Sequence, residues 1–129
     1  MDVSIVSPEK KVWGGDADMV VARSPEGEFA ILSGHIPFLA TLVPGAVKVR
    51  SADDYQVFLV TGGVLEASGS RDDYHVIVLA DDAENAQNID LEDARRRLED
   101  AKKRSEDISE SDLRVATARV EIAESQSRS

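Results

Sequence analysis

From Ile89 to the last residue the chain contains neither glycine nor proline, while all eight glycines and four prolines fall within the first 69 residues. Glycine permits turns that side-chained residues resist, and proline fixes φ and removes a backbone donor, so the two punctuate secondary structure. A chain punctuated in its first part and not in its last is expected to change architecture along its length. Short strands between turns come first and helices follow. The pattern shifts near residue 81, where Asp81 to Asn88 is polar and helix-tolerant. The expected division is a β-sandwich of about ten short strands over 1–85 and a C-terminal α-helical hairpin over 86–129.

The strand segments follow one another closely. Val3-Ser4-Ile5-Val6-Ser7 alternates apolar and polar residues, the period of a half-buried strand, and Pro8 ends it. Val12-Trp13 restarts extended structure, with Gly14-Gly15 read as a turn or bulge. Met19 to Ala22 is closed by Ser24-Pro25-Glu26-Gly27, a strong turn signal. Phe38 to Val43 runs to Pro44-Gly45, and Val47 to Arg50 runs to the turn at Asp53-Asp54. Gln56 to Thr61 and Val64 to Ala67 flank Gly62-Gly63, a pattern expected to make a tight hairpin. Tyr74 to Ala80 has apolar residues at both parities and is expected to be a central strand.

In the last third, Asp90 is placed to cap a helix, with Glu92 and Asp93 in its first turn where the dipole favours them. Leu91, Ala94, Leu98 and Ala101 form one helical face. Ser105 to Ile108 interrupts the pattern, and Ser109-Glu110-Ser111-Asp112 reads as a cap for a second helix. Leu113, Ala116, Val120 and Ala123 form its stripe, widened by Val115, Ala118 and Ile122. Alanine contributes far less than the roughly 1.5–3 kcal/mol of a buried Leu or Ile, and isolated helices of this length are marginal. A permanently docked pair and a mobile, undocking element both fit this composition.

Between two apolar strand segments lies Ser33-Gly34-His35-Ile36-Pro37. Glycine allows the turn and Pro37 forces Ile36 out of the helical region, which suggests a stiff, shaped loop carrying His35. An ordinary β-turn with a partly exposed histidine is the alternative.

Composition narrows the chemistry. With no cysteine among 129 residues, disulfides and thiolate catalysis are excluded. The formal net charge of −10 argues against a nucleic-acid partner, which needs a basic footprint. No apolar run reaches the roughly 18–20 residues of a membrane helix, and Met1 to Ile5 lacks a signal-like pattern, so a soluble, cytoplasmic protein is expected. No phosphate-binding glycine loop or nucleophile elbow occurs. His35 with Asp81 and Asp82 lacks ligand spacing, so no metal and no catalytic residue is expected. His75 reads as an exposed or satisfied sheet residue.

Five pieces in order resemble the epsilon subunit of F-type ATP synthases. They are Ser7-Pro8-Glu9 with Val12-Trp13-Gly14-Gly15 and Ala17; Glu26 to Leu39 with its Gly34-His35 and Pro37; Leu42, Pro44-Gly45 and Val47; Gly62-Gly63-Val64-Leu65-Glu66; and Val76 to Asp81 with Ala83-Glu84. The resemblance spans nearly the whole chain. It implies a non-catalytic, regulatory and structural rotor subunit in the central stalk, coupling proton translocation through the c-ring to ATP synthesis. The implied partners are the gamma subunit, the c-ring and the alpha and beta subunits of the catalytic head. The implied location is the cytoplasmic face of the bacterial plasma membrane, peripheral and held only through the complex.

By position, Glu28 and His35 fall where the family's sandwich faces the c-ring. Some members bind ATP through an Ile/Leu-Asp-x-x-Arg-Ala motif. Here Ile89, Asp90 and Ala94 match, but Asp93 stands at the arginine position. A carboxylate there repels phosphate, so ATP binding is expected to be weak or absent and no other cofactor is expected. Arg114 and Arg119 match the helix that restrains hydrolysis in many bacteria, although Glu121 and Glu124 dilute the charge. A nucleotide-sensing module built on the first helix is the second reading, and a small hydrolase on a β scaffold the third.

Overall fold

A computed structural model describes residues 1–34, 36–104 and 106–127, with Ser127 by backbone alone. Ten strands precede two helices: β1 (Asp2–Val6), β2 (Lys11–Asp16), β3 (Met19–Ser24), β4 (Gly27–Leu32), β5 (Phe38–Leu42), β6 (Gly45–Ser51), β7 (Asp54–Val60), β8 (Gly63–Ser70), β9 (Asp73–Ala80), β10 (Ala83–Asn85), then α1 (Leu91–Lys103) and α2 (Glu110–Ser127). The strands make two five-stranded sheets, ordered β2-β1-β9-β8-β5 and β10-β7-β6-β3-β4. Alternate residues of each sheet turn inward, as a pleated strand requires. Val3, Ile5, Leu65 and Val76 meet Val49 and Phe58 in a shared apolar core. Burying each such side chain contributes roughly 1.5–3 kcal/mol.

β9 is the middle strand of the first sheet, between β1 and β8. β1 runs parallel to it, placing Val3 beside Val76, while β8 runs antiparallel. The Arg71-Asp72 turn joins β8 to β9 with Ser70 opposite Asp73.

Two glycine pairs behave differently from the expectation. Gly14 and Gly15 lie inside β2, opposite Ser4 and Val3. The bulge falls beside them: Ile5 faces Trp13 and Val6 faces Lys11, leaving Val12 as the extra residue. Gly62-Gly63 makes no hairpin. Val60 pairs with Gly45 and Ala83 in the second sheet, whereas Gly63 pairs with Leu42 and Ala80 in the first. The glycines carry the chain from one sheet to the other. Both have φ of 135°, and a Cβ on Gly63 would lie 2.1 Å from the Leu79 carbonyl oxygen. The pair is therefore needed for close backbone passage, not for a tight turn.

A 3₁₀ turn over Ala86–Asn88 leads into the helices, capped by Asn85 Oδ1, which accepts from the Gln87 amide at 2.9 Å. Asp90 occupies the cap position of α1 without a side-chain cap bond. Ser109 does cap α2, its Oγ accepting from the Asp112 amide at 3.0 Å. The apolar residues of α2 serve two sides of the helix. Ala118 and Ile122 pack with Leu59 of β7 and Ala86, whereas Val120 and Ala123 are buried outside that cluster. α1 packs against α2, and α2 lies against β6, β7 and the 3₁₀ turn.

Candidate functional site

The features of the described residues that can act on something else are surfaces. The first is the outer face of the β2-β1-β9-β8-β5 sheet. Residues alternating with its core residues form cross-strand rows, and Thr41, Val64, Leu79 and Val6 stand side by side in one of them. Leu79 is 51% exposed and Leu39, on the edge strand, 69% exposed. α2 lies on the opposite sheet and α1 packs on α2, and in this row Thr41 and Leu79 are exposed. An apolar row of this kind on a water-facing sheet marks an interaction surface. His75 is on the same face, its Nε2 3.2 Å from Ser68 Oγ across the strands.

The second feature is the end of the sandwich where β4 hands over to β5. Phe29 and Phe38 flank the connection, their ring centroids 5.2 Å apart. The buried Tyr74 reaches up from β9 and donates its hydroxyl proton to the Ile36 carbonyl at 2.9 Å. Burial raises the Tyr74 pKa, since a phenolate would be poorly solvated there. Beyond these anchors Ile36 is 71% exposed and Leu32 50%. The loop is thus tethered from behind and apolar in front. His35 lies outside the described residues. Glu28 is not on this loop: it stands near the other end of β4, opposite Arg23 of β3.

There Glu28 borders an open groove of about 640 Å³ between the sandwich and α2, with Arg23, Lys48, Glu110 and Arg114 among its walls. Arg114 is exposed and pairs with Glu110 one turn back at 3.3 Å. Arg119 is held differently. Its guanidinium reaches across to Glu84 of β10 at 2.5 Å, with only 15% of its side chain exposed. The two arginines therefore do not converge.

The residues matched to the nucleotide motif are also divided. Ile89 and Asp90 line a cleft of about 460 Å³ with Ala86, Gln87, Leu91, Ala123 and Gln126. Among the described residues the one charged side chain on that wall is the Asp90 carboxylate. Ala94 is fully buried, and Asp93 is engaged by Arg96 and Arg97 of its own helix.

Sequence reasoning missed Leu59. The signal was available: Phe58, Leu59 and Val60 are three consecutive apolar residues, all buried. In a strand that requires cover on both faces. Phe58 and Val60 enter the sandwich core, and Leu59 points the other way into α2.

Two sheets face to face, followed by a helix pair whose second member lies on one of them, define a sandwich-plus-hairpin subunit. Residues 1–86 match the family model for the ATP synthase Delta/Epsilon chain, beta-sandwich domain. The ATP synthase epsilon chain of Hydrogenovibrio crunogenus is 42% identical over 127 residues, covering 96% of this chain and 83% of that protein. The sodium ion specific epsilon chain of Propionigenium modestum is 37% identical, covering 95% and 92%. A chain in the cryo-EM structure of the Euglena gracilis mitochondrial ATP synthase, OSCP/F1/c-ring, superposes with a TM-score of 0.74 at 20% identity, covering 98% of this chain and 78% of that one. That likeness is one of fold. This chain belongs to the epsilon-chain family of ATP synthases.

Proposed function

We propose that the chain is a central-stalk subunit of an F-type ATP synthase that carries no active site of its own and couples rotation of the c-ring to ATP synthesis. The observation that carries this reading is the uncovered apolar sheet face with Leu79 and Leu39 exposed on a rigid sandwich. A subunit that transmits torque needs a stiff body and a broad non-covalent seat. The sheet face is the seat for the gamma subunit, and the tethered connection between β4 and β5, which carries His35 in sequence, turns towards the c-ring; Glu28, near the other end of β4, is not part of that contact. No helix among the described residues is long and apolar enough to cross a membrane, so attachment to the cytoplasmic face of a bacterial plasma membrane runs through the complex.

Capture by the gamma subunit tests the seat. The full chain should be retained, and Leu79→Glu should weaken retention at least about tenfold, since a carboxylate left unpaired in an apolar interface is costly. Equal retention of the variant would remove the sheet face from the reading.

Arg114 is the hairpin's accessible contact for the beta subunits, and deleting residues 86–129 should raise the ATPase activity of the assembled head. Unchanged activity would mean that the hairpin is no brake. ATP binds weakly or not at all: among the described residues the cleft beside Ile89 and Asp90 offers a triphosphate a carboxylate and no cation. Calorimetry with Mg-ATP should give no submillimolar isotherm. A micromolar affinity would favour the nucleotide-sensing reading instead.

A further inference from the structure

We propose that Glu84 and Arg119 form a latch that holds the hairpin on the sandwich, so that ionic strength sets how often α2 lifts away. The argument starts from how little else holds α2 down. Its sheet-facing side presents Ala118 and Ile122 to Leu59, with Ala46, Val57, Ala86, Ile89 and Val115 around them, so three of the eight side chains in this contact are alanines. The remaining ion pairs of the hairpin do not cross to the sandwich among the described residues: Arg96 and Arg97 pair with Asp93, Arg114 with Glu110, and Arg95 with Glu124 of α2.

The Glu84–Arg119 ion pair spans the junction, from β10 to the middle of α2. It sits at the border of the apolar contact, with Arg119 mostly shielded and Glu84 36% exposed. A pair so placed is stronger than a surface pair yet still reached by salt. Lifting α2 strands both charges, and the guanidinium then becomes available to a carboxylate elsewhere. The same arginine cannot hold the sandwich and a partner at once. The functional consequence rests on the reading of the hairpin as a brake on the head, but the latch itself is a property of the isolated chain.

Hydrogen exchange on the full chain tests it without the head. Glu84→Gln and Arg119→Gln should each speed exchange of α2 amides about three- to tenfold while β8 and β9 amides are unchanged. The reversed pair, Glu84→Arg with Arg119→Glu, should restore slow exchange. In the unmodified chain, raising salt from about 20 to about 500 mM should speed α2 alone. Exchange of α2 within about twofold of the parent in both single variants, or a reversed pair no slower than the singles, would overturn the latch. Faster α2 exchange in the latch variants with no change in the ATPase activity of the assembled head would refute the functional reading alone.

Discussion

The Tyr74 hydroxyl on β9 donates to the backbone carbonyl of Ile36, 38 residues earlier, at 2.9 Å. This bond ties the connection between the two sheets to the middle strand of one of them. Tyr74→Phe keeps the ring and removes the bond. It should cost about 0.5–1.5 kcal/mol in urea unfolding and speed exchange in the Ser33–Pro37 connection. The same group adds an alkaline limb. Its folded pKa lies above the ordinary value of 10.0, so the native state holds the proton more tightly than the unfolded chain. The contribution is complete below pH 10 and is lost as pH rises through the folded pKa. Unfolding at pH 8 and pH 11 should show a smaller alkaline loss in Tyr74→Phe than in the parent.

Gly63→Ala should be far more damaging than Gly14→Ala. At Gly63 a methyl group meets the Leu79 carbonyl oxygen at 2.1 Å and φ is 135°, with fixed backbone on the other side. A loss on the order of 3 kcal/mol or more is expected. At Gly14 the obstruction is the end of the Lys11 side chain, which can swing away. There the change should stay within about 1 kcal/mol. Thermal unfolding of the two variants side by side checks the contrast.

Ala52→Gly should stabilise. Ala52 has φ of 57° in the two-residue turn between Ser51 and Asp54. An L side chain there costs about 1–2 kcal/mol, more than the roughly 0.5–1 kcal/mol entropic penalty of glycine. A net gain of about 0.5–1 kcal/mol in urea unfolding is expected.

Leu59→Ala should separate the hairpin from the sandwich. The side chain is 1% exposed and packs into α2. Its loss should cost about 2–5 kcal/mol if helix and sandwich unfold together. Exchange protection in α2 should fall first, and a variant whose α2 amides stay protected would show that Leu59 is not the anchor.

Much of the architecture was legible because turns and periodicity are local. Pro25, Gly45 and the Arg71-Asp72 turn fall at strand ends, and Ser109 caps the helix it was expected to cap. What depended on distant partners was not legible. Gly62-Gly63 looks like a hairpin in one dimension, since nothing local says that Val60 and Gly63 belong to different sheets. The extra apolar residues of α2 seemed to widen one stripe, yet Ala118 and Ile122 answer to Leu59, more than fifty positions away. The separation of Glu28 from the Ser33–Pro37 connection follows from counting residues along β4. The pairing of Arg119 with Glu84 required the fold.

The parallel seating of β1 beside β9 has a consequence for biogenesis. Val3 finds its neighbour only when Val76 has been made, so the opening segment leaves the ribosome with one edge unoccupied and must wait for most of the polypeptide. Closure over such sequence distances is slow, and an open strand edge invites wrong pairings meanwhile. The sheet that receives α2 closes later still, because its β10 edge follows β9 in the chain.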